Sequence, residues 1–148
     1  MEIISYVLEG ALEHKDSMGT GSVIVPGDIQ LMSAGRGVAH SEFNHSAQEG
    51  VHFLQIWVVP NEVNTEPDYQ QVHIDEADKR GKLHLIISPK GGEKTLSIKQ
   101  DINIYSGLFD GEGCITSPKV QRDCGNGFYF RLRVQIPQNC LETLLAFR

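Results

Sequence analysis

The sequence predicts an all-β protein, a β-barrel or jelly roll assembled from many short strands. Glycine occurs 15 times and proline 6 times in 148 residues. Turn signals recur about every ten residues, and no long helical period interrupts them, which is the pattern of a sandwich or small barrel. Hydrophobic residues make up 40% of the chain and charged residues 22%, as in an ordinary globular protein with a buried core.

Apolar or alternating segments between turns predict the individual strands. They cover residues 3–8, 11–16, 22–25, 29–32, 38–43, 51–59, 83–88, 95–99, 102–109 and 128–136. The segment 51–59 is the longest apolar run and contains the only tryptophan, Trp57, so we expect a central strand covered on both faces. Residues 61–70 are expected to form a surface connection, and 75–82 one helical turn. Pro26 and Gly27 predict a type II turn with a positive φ at the glycine.

Charge and cysteine content exclude several classes of protein. Thirteen basic and nineteen acidic residues give a net charge of −6, which argues against binding to nucleic acid or to anionic lipid. No apolar run approaches the roughly 20 residues of a membrane span, and we expect no signal peptide. Cys114, Cys124 and Cys140 are odd in number and lack C-x-x-C spacing, so we expect buried thiols in a reducing cytoplasm.

One pair of residues carries the candidate chemistry. His40 and Glu42 stand two apart in a predicted strand, so their side chains leave the same face about 7 Å apart. An imidazole and a carboxylate that converge inside a barrel are ligands for non-heme iron, and manganese, nickel or copper also accept them. The alternative is a surface or salt-bridged pair without metal.

Further motifs resemble a known family. The relevant segments are YVLEG at 6–10, EHKDSMG at 13–19, PGD at 26–28, MSAGRGVAHSE at 32–42 and QIW at 55–57. A Pro-Gly turn followed by a histidine resembles the second motif of the cupin superfamily. More closely, these segments resemble the pirin family, from residue 1 to about residue 110.

The resemblance implies a bicupin in which iron is held by an H-x-H pair and by the His and Glu of an H-S-E triplet. His40 and Glu42 match that triplet, so the resemblance implies that both are metal ligands for Fe(II) or another divalent transition metal. It also implies quercetin 2,3-dioxygenase activity on a flavonol-like small molecule. The resemblance further implies that Glu42 is a catalytic carboxylate that would help remove the 3-hydroxyl proton. Dioxygen would then open the heterocycle with release of carbon monoxide.

The sequence also departs from the family. The family's H-x-H pair lies just before the position of Met1 and Glu2, so we expect an incomplete metal site, and the chain is consistent with a truncated product. Residues 1–110 are predicted to be a pirin-like cupin region and residues 111–148 a divergent strand region. A metal-free binding or regulatory module is the alternative function. Unpaired sheet edges would also allow a homo-oligomer, in which the tail strand of one chain covers an edge of another.

The remaining histidines are weaker candidates. If residues 9–10 form a tight hairpin loop, Ser5 opposes His14, and His14 either turns inward as a ligand or is partly buried against Asp16 or backbone. His52 is expected to be a core or interface histidine, and His45 to be solvated.

Overall fold

The computed structural model describes residues 1–110, 131–135 and 141–147. Within these residues it is built from strands and one short helix. The elements are β1 (Glu2–Glu9), β2 (Leu12–Asp16), β3 (Gly21–Ile24), β4 (Asp28–Ser33), β5 (His40–Asn44), β6 (His52–Val58), β7 (Asp68–His73), α1 (Glu76–Lys79), β8 (His84–Ser88), β9 (Leu96–Ser97), β10 (Ile104–Asp110), β11 (Arg131–Gln135) and β12 (Leu141–Phe147). The predicted all-β class is confirmed.

The strands form three sheets. The first has the order β6-β1-β4-β7, the second β3-β2-β5, and the third β11-β12-β10-β8-β9. Every pairing in the first two sheets is antiparallel, and the β8–β9 pair of the third is parallel. Every residue of β4 is buried, and so is β1 from residue 2 to residue 8. The two inner strands of the four-stranded sheet are therefore covered on both faces by other parts of the chain.

The two faces of β1 pack against different parts of the protein, because side chains alternate along a strand. Ile4, Tyr6 and Leu8 point to the main core, which continues into the third sheet through Ile86 and Ile104. The opposite face packs on the three-stranded sheet. There Val7 meets Leu12 and Ile24 in a smaller core, and Ser5 hydrogen-bonds to Glu42.

The interpretation of residues 51–59 as a central strand is wrong. β6 lies at the edge of the four-stranded sheet, and Trp57 is 62% exposed. The strand is apolar because Leu54, Ile56 and Val58 pack on the main core. A run of apolar residues shows that one face is buried, and it does not show how many neighbours the strand has.

The hairpin suggested for residues 9–10 is also wrong. β1 pairs with β4 and β6, whereas β2 pairs with β3 and β5. Gly10 has a φ of +74°, and a Cβ there would lie 2.3 Å from the carbonyl oxygen of Gly50. Only glycine fits at this point, where the chain passes from one sheet to the next.

Other predictions have mixed outcomes. The helical turn is present as α1, and Gly27 has the predicted positive φ, at +99°. The surface connection predicted for residues 61–70 is shorter than expected, because β7 begins at Asp68. Near the C-terminus, a strand was predicted for residues 128–136, and β11 confirms it in part. β11 pairs with β12 of its own chain.

The division at residue 110 stays a prediction, and the three cysteines lie outside the described residues. Among the described residues no helix is long and apolar enough to cross a membrane.

Candidate functional site

The site lies between the three-stranded and four-stranded sheets, and β5 and β2 supply its histidines and carboxylates. His40 and Glu42 leave the same face of β5, as predicted from their spacing. Across the strand pair, His14 of β2 is opposite Glu42, and Asp16 is opposite His40. Because cross-strand partners share a face of a sheet, all four side chains belong to one cluster.

The Glu42 carboxylate is fixed by two neighbours from the four-stranded sheet. Its Oε1 accepts a hydrogen bond from Ser5 Oγ at 3.0 Å, and its Oε2 accepts one from Gln55 Nε2 at 2.5 Å. The Glu42 side chain is only 12% exposed. Each oxygen keeps a second lone pair, so the carboxylate is oriented and still able to bind a cation.

His14 lies at the buried centre of the cluster, with no exposed surface. Its Nε2 lies 3.2 Å from Asp16 Oδ2, and its Nδ1 lies 3.9 Å from Glu42 Oε1 without a hydrogen-bond partner. The His14 and His40 rings are stacked with centroids 5.9 Å apart. His14 therefore both turns inward and bonds to Asp16, which the sequence analysis treated as alternatives.

Asp16 is an ionised group within this cluster. Burial acts to raise its pKa, but hydrogen bonds from the backbone of Thr20, from His14 and from the backbone of Met18 outweigh burial, and the pKa lies below its usual value. Because an ionised carboxylate only accepts hydrogen bonds, His14 Nε2–H is the donor to Asp16 Oδ2 in this contact.

Tyr69 closes the cluster from β7. Its ring lies 5.1 Å from the His14 ring, and its hydroxyl donates to Gln71 Oε1 at 2.8 Å and contacts the Ser22 hydroxyl. Burial raises the pKa of the Tyr69 hydroxyl, and the negative charges of Asp16, Asp28 and Glu42 raise it further. The hydroxyl therefore stays protonated and acts as a donor.

A buried glutamine adds to the polar interior. Gln30 of β4 has no exposed surface, and neither its amide nitrogen nor its amide oxygen has a hydrogen-bond partner. In the sheet register it stands between Ser5 and Gln71, on the face that carries Gln55. Buried polar groups normally find partners, so this face is suited to a polar ligand rather than to close apolar packing.

The donor chemistry fits a divalent transition metal. His40 and Glu42 supply nitrogen and oxygen donors, and His14 Nδ1 presents a buried, unpartnered lone pair beside them. Among the described residues, no group of three or more His, Cys, Asp or Glu side chains is close enough to hold a metal ion. The described residues thus bring fewer than three such side chains together, and the assignment of His40 and Glu42 as ligands stays a prediction.

Sequence reasoning missed Gln30, Gln55, Tyr69 and the contact of Ser5 with Glu42, whereas it did name Asp16 as one alternative partner of His14. The alternation of Leu12, His14 and Asp16 along β2 explains that contact, because His14 and Asp16 lie on the same face of the strand. The other contacts join residues far apart in the chain, and no local pattern marks them.

The remaining histidines lie outside the cluster. His45 is 52% exposed and bonds to Glu13, as expected for a solvated residue. His73 bonds to Asp28 Oδ1 at 2.7 Å. The expectation of a core position for His52 is wrong, because the residue is exposed at the start of the edge strand β6. Its alternative role, as an interface histidine, stays a prediction.

The stacked sheets and their polar interior define a protein of the cupin class. The sequence profile of the pirin family matches residues 1–58. A crystal structure of YhhW from Escherichia coli matches 99% of this chain and 70% of that chain, with a TM-score of 0.74 and 26% identity. The chain belongs to the pirin family.

Two further relatives bear on function. A quercetin 2,3-dioxygenase of Escherichia coli strain K12 is 44% identical over 105 residues, which cover 71% of this chain and 44% of that protein. The chain therefore spans less than half the length of this relative. A second structure, of the bacterial pirin YhhW of Escherichia coli in complex with nickel(II), matches 99% of this chain and 62% of that chain, with a TM-score of 0.68 and 28% identity.

Proposed function

We propose that this chain forms part of a metal-dependent oxidoreductase of the quercetin 2,3-dioxygenase type, which acts on a flavonol-like small molecule. The observation that carries the proposal is the convergence of His40 and Glu42 around buried His14. The name of the 44% identical relative and the nickel complex of a similar structure support it.

In this proposal His40 and Glu42 hold Fe(II) or another divalent transition metal. When bound, such a metal supplies Lewis-acid and redox chemistry. Ser5 and Gln55 hold the Glu42 carboxylate in one orientation, and the sheets restrict water around it. Glu42 accepts the proton of the flavonol 3-hydroxyl. Dioxygen is then incorporated, the heterocycle opens and carbon monoxide leaves.

Metal binding is the direct test. The chain is purified without a tag, loaded separately with Fe(II), Ni(II), Co(II), Mn(II) or Cu(II), and dialysed, and bound metal is measured by mass spectrometry. We expect His40→Ala and Glu42→Gln to lower metal affinity by at least about tenfold, since changes even outside the ligand shell have effects of that size. His52→Ala is the matched control, because His52 is exposed on another strand. Metal content below about a tenth of an equivalent in the wild-type chain would refute the proposal.

Activity is measured on the loaded chain by the loss of quercetin absorbance in air and by carbon monoxide release. Both signals should disappear under nitrogen. Metal bound without either signal would leave His40 and Glu42 as ligands and remove the dioxygenase reaction from the proposal.

A metal-free binding or regulatory module is the second candidate. One observation favours this candidate: among the described residues, no group of three or more metal-ligating side chains lies close together. This candidate predicts that His40→Ala leaves the binding of a small molecule or partner unchanged, so the same variant separates the two functions.

A homo-oligomer is a further part of the proposal. β6 and β7 are the outer strands of the described four-stranded sheet, and an exposed strand edge can pair with another chain. Size-exclusion chromatography with light scattering gives the mass in solution, and a monomer at all concentrations would exclude this assembly.

A further inference from the structure

We propose that Trp57 is a specificity-determining residue, a stacking platform that selects planar aromatic substrates at the entrance to the Glu42 site. The inference rests on the proposed function and adds to it the residue that recognises the ring system. It is carried by the exposure of the indole and by its hydrogen-bonded link to the Glu42 carboxylate.

Trp57 is a large aromatic side chain on the exposed face of its strand. Trp57 is 62% exposed, while Ile56 and Val58 on either side pack on the main core. Trp57 pairs with Ile3, and Gln55 pairs with Ser5, so both side chains lie on the face of the sheet that carries the site. A large aromatic surface is thus open to solvent on the face where the polar cluster lies.

Two hydrogen bonds connect the indole to the candidate ligand. Trp57 Nε1 donates to Gln55 Oε1 at 2.9 Å, and Gln55 Nε2 donates to Glu42 Oε2 at 2.5 Å. The Gln55 amide is therefore fixed at both ends. The indole N–H is satisfied inside the protein, which holds the edge of the ring in place and leaves its surface available to a ligand.

The chemistry of this arrangement favours a flat ring. Aromatic pairs stack with offset faces, and a ring held in position before binding loses little entropy on contact. A planar flavonol could lie against Trp57 while its hydroxyl groups reach Glu42, which is two hydrogen bonds from the indole through Gln55. A non-planar analogue with the same hydroxyl groups would lose the stacking contact and keep the polar contacts.

Affinities for quercetin and for its non-planar analogue dihydroquercetin test the inference. Both are measured by calorimetry under nitrogen, on nickel-loaded protein. We expect Trp57→Ala to weaken quercetin binding about tenfold and Trp57→Phe about threefold, with a change below about twofold for dihydroquercetin. Val59→Ala is the control, since Val59 is also exposed, at 69%, and has no part in the hydrogen-bonded path. Its affinity for quercetin should equal that of the wild type.

A second readout uses the fact that Trp57 is the only tryptophan of the chain. Quercetin should quench its fluorescence with the calorimetric affinity, and dihydroquercetin should quench it less. An equal loss of affinity for both compounds in Trp57→Ala, no loss for either, or no quercetin binding by the wild type would overturn the inference.

Metal content is measured on the same samples. If it is normal while quercetin affinity is unchanged in Trp57→Ala, the stacking role fails and the proposed function stands. If the wild type selects quercetin through Trp57 but holds no metal, the stacking role stands and the metal-dependent function fails.

Discussion

Asp16 allows the hydrogen bonds of the site to be tested one oxygen at a time. Its Oδ1 accepts from the backbone nitrogens of Met18 and Thr20, at 2.9 and 3.0 Å, and its Oδ2 is the partner of His14 Nε2 at 3.2 Å. In Asp16→Asn the amide oxygen can keep both backbone bonds, and the amide nitrogen replaces only the oxygen that faces His14. Asp16→Ala removes all three contacts.

The expected magnitudes follow from this division. Hydrogen bonds to a charged group contribute about 1.5–3 kcal/mol, and neutral ones about 1 kcal/mol. We expect Asp16→Ala, which loses three bonds to a charged group, to lower the free energy of unfolding by about 4–5 kcal/mol, and Asp16→Asn, which replaces them with neutral bonds, to lower it by about 2 kcal/mol. In the asparagine variant the amide donates to Nε2, so the ring proton of neutral His14 moves to Nδ1, on the side of Glu42 Oε1.

Urea unfolding measures the two free energies, and nitrogen NMR of the histidine rings identifies the tautomer. Glu62→Gln is the control, because it removes the charge of an exposed carboxylate and should change stability by less than about 0.5 kcal/mol. Equal destabilisation by Asn and Ala, or an unchanged His14 tautomer in the asparagine variant, would refute the reasoning.

The pH dependence has a definite sign. The pKa of Asp16 is lower in the folded protein than its usual value, so its ionisation stabilises the fold fully above the unfolded pKa of about 3.9. This contribution is lost as the pH falls through the lower, folded pKa. The stability difference between wild type and Asp16→Asn should therefore shrink with acidification below about pH 4, and urea titrations at several pH values check it.

Three other changes probe the fold and its surface. Gly27→Ala should destabilise the chain by about 1–3 kcal/mol in urea unfolding, because φ is +99° and the added Cβ would lie 2.6 Å from His73 Cε1. Leu31→Ala, at a site with no exposed surface, should cost about 2–5 kcal/mol in the same assay. Lys94→Met should raise the pKa of Asp78 in carbon NMR titrations, because the Lys94 ammonium, 2.6 Å away, holds that pKa below its usual value.

Matched controls accompany these three variants. Gly19→Ala also changes a glycine with positive φ, but its Cβ would meet nothing within 4 Å, so it should cost less than Gly27→Ala. Val63→Ala, at 81% exposure, should stay within about 0.5 kcal/mol of the wild type, and Lys90→Met should leave the pKa of Asp78 unchanged. Equal effects of a variant and its control would contradict the corresponding prediction.

Much of the fold was predictable because its strands are short and end at clear turns. The alternation of side chains also placed His40 and Glu42 on one face without knowledge of any partner strand. Strand pairing was harder to predict. The Ser5–Glu42 bond spans 37 positions in sequence, and the position of His14 opposite Glu42 depends on which strands share a sheet.

The errors share a physical cause. β6 was assigned to a sheet centre from its apolar content, although β1 occupies that place and β6 needs only one buried face. The start of β7 was missed because Tyr69 and Gln70 are polar. Their hydrogen bonds to Ser22 and Ser97, which lie in other segments, replace the apolar contacts that usually mark a strand. Propensity describes single residues, whereas these elements are stabilised by partners distant in the chain.

The two faces of β1 impose a strict limit on how its sequence can vary in length. Ser5 and Tyr6 point in opposite directions, one to the Glu42 carboxylate and the other to the main core, where Tyr6 bonds to Ser106. Inserting or deleting one residue within the strand would exchange the faces, and an isoleucine or tyrosine would then point at Glu42. Substitutions at single positions can be tolerated in such a strand, but changes of its length would damage the core and the site together.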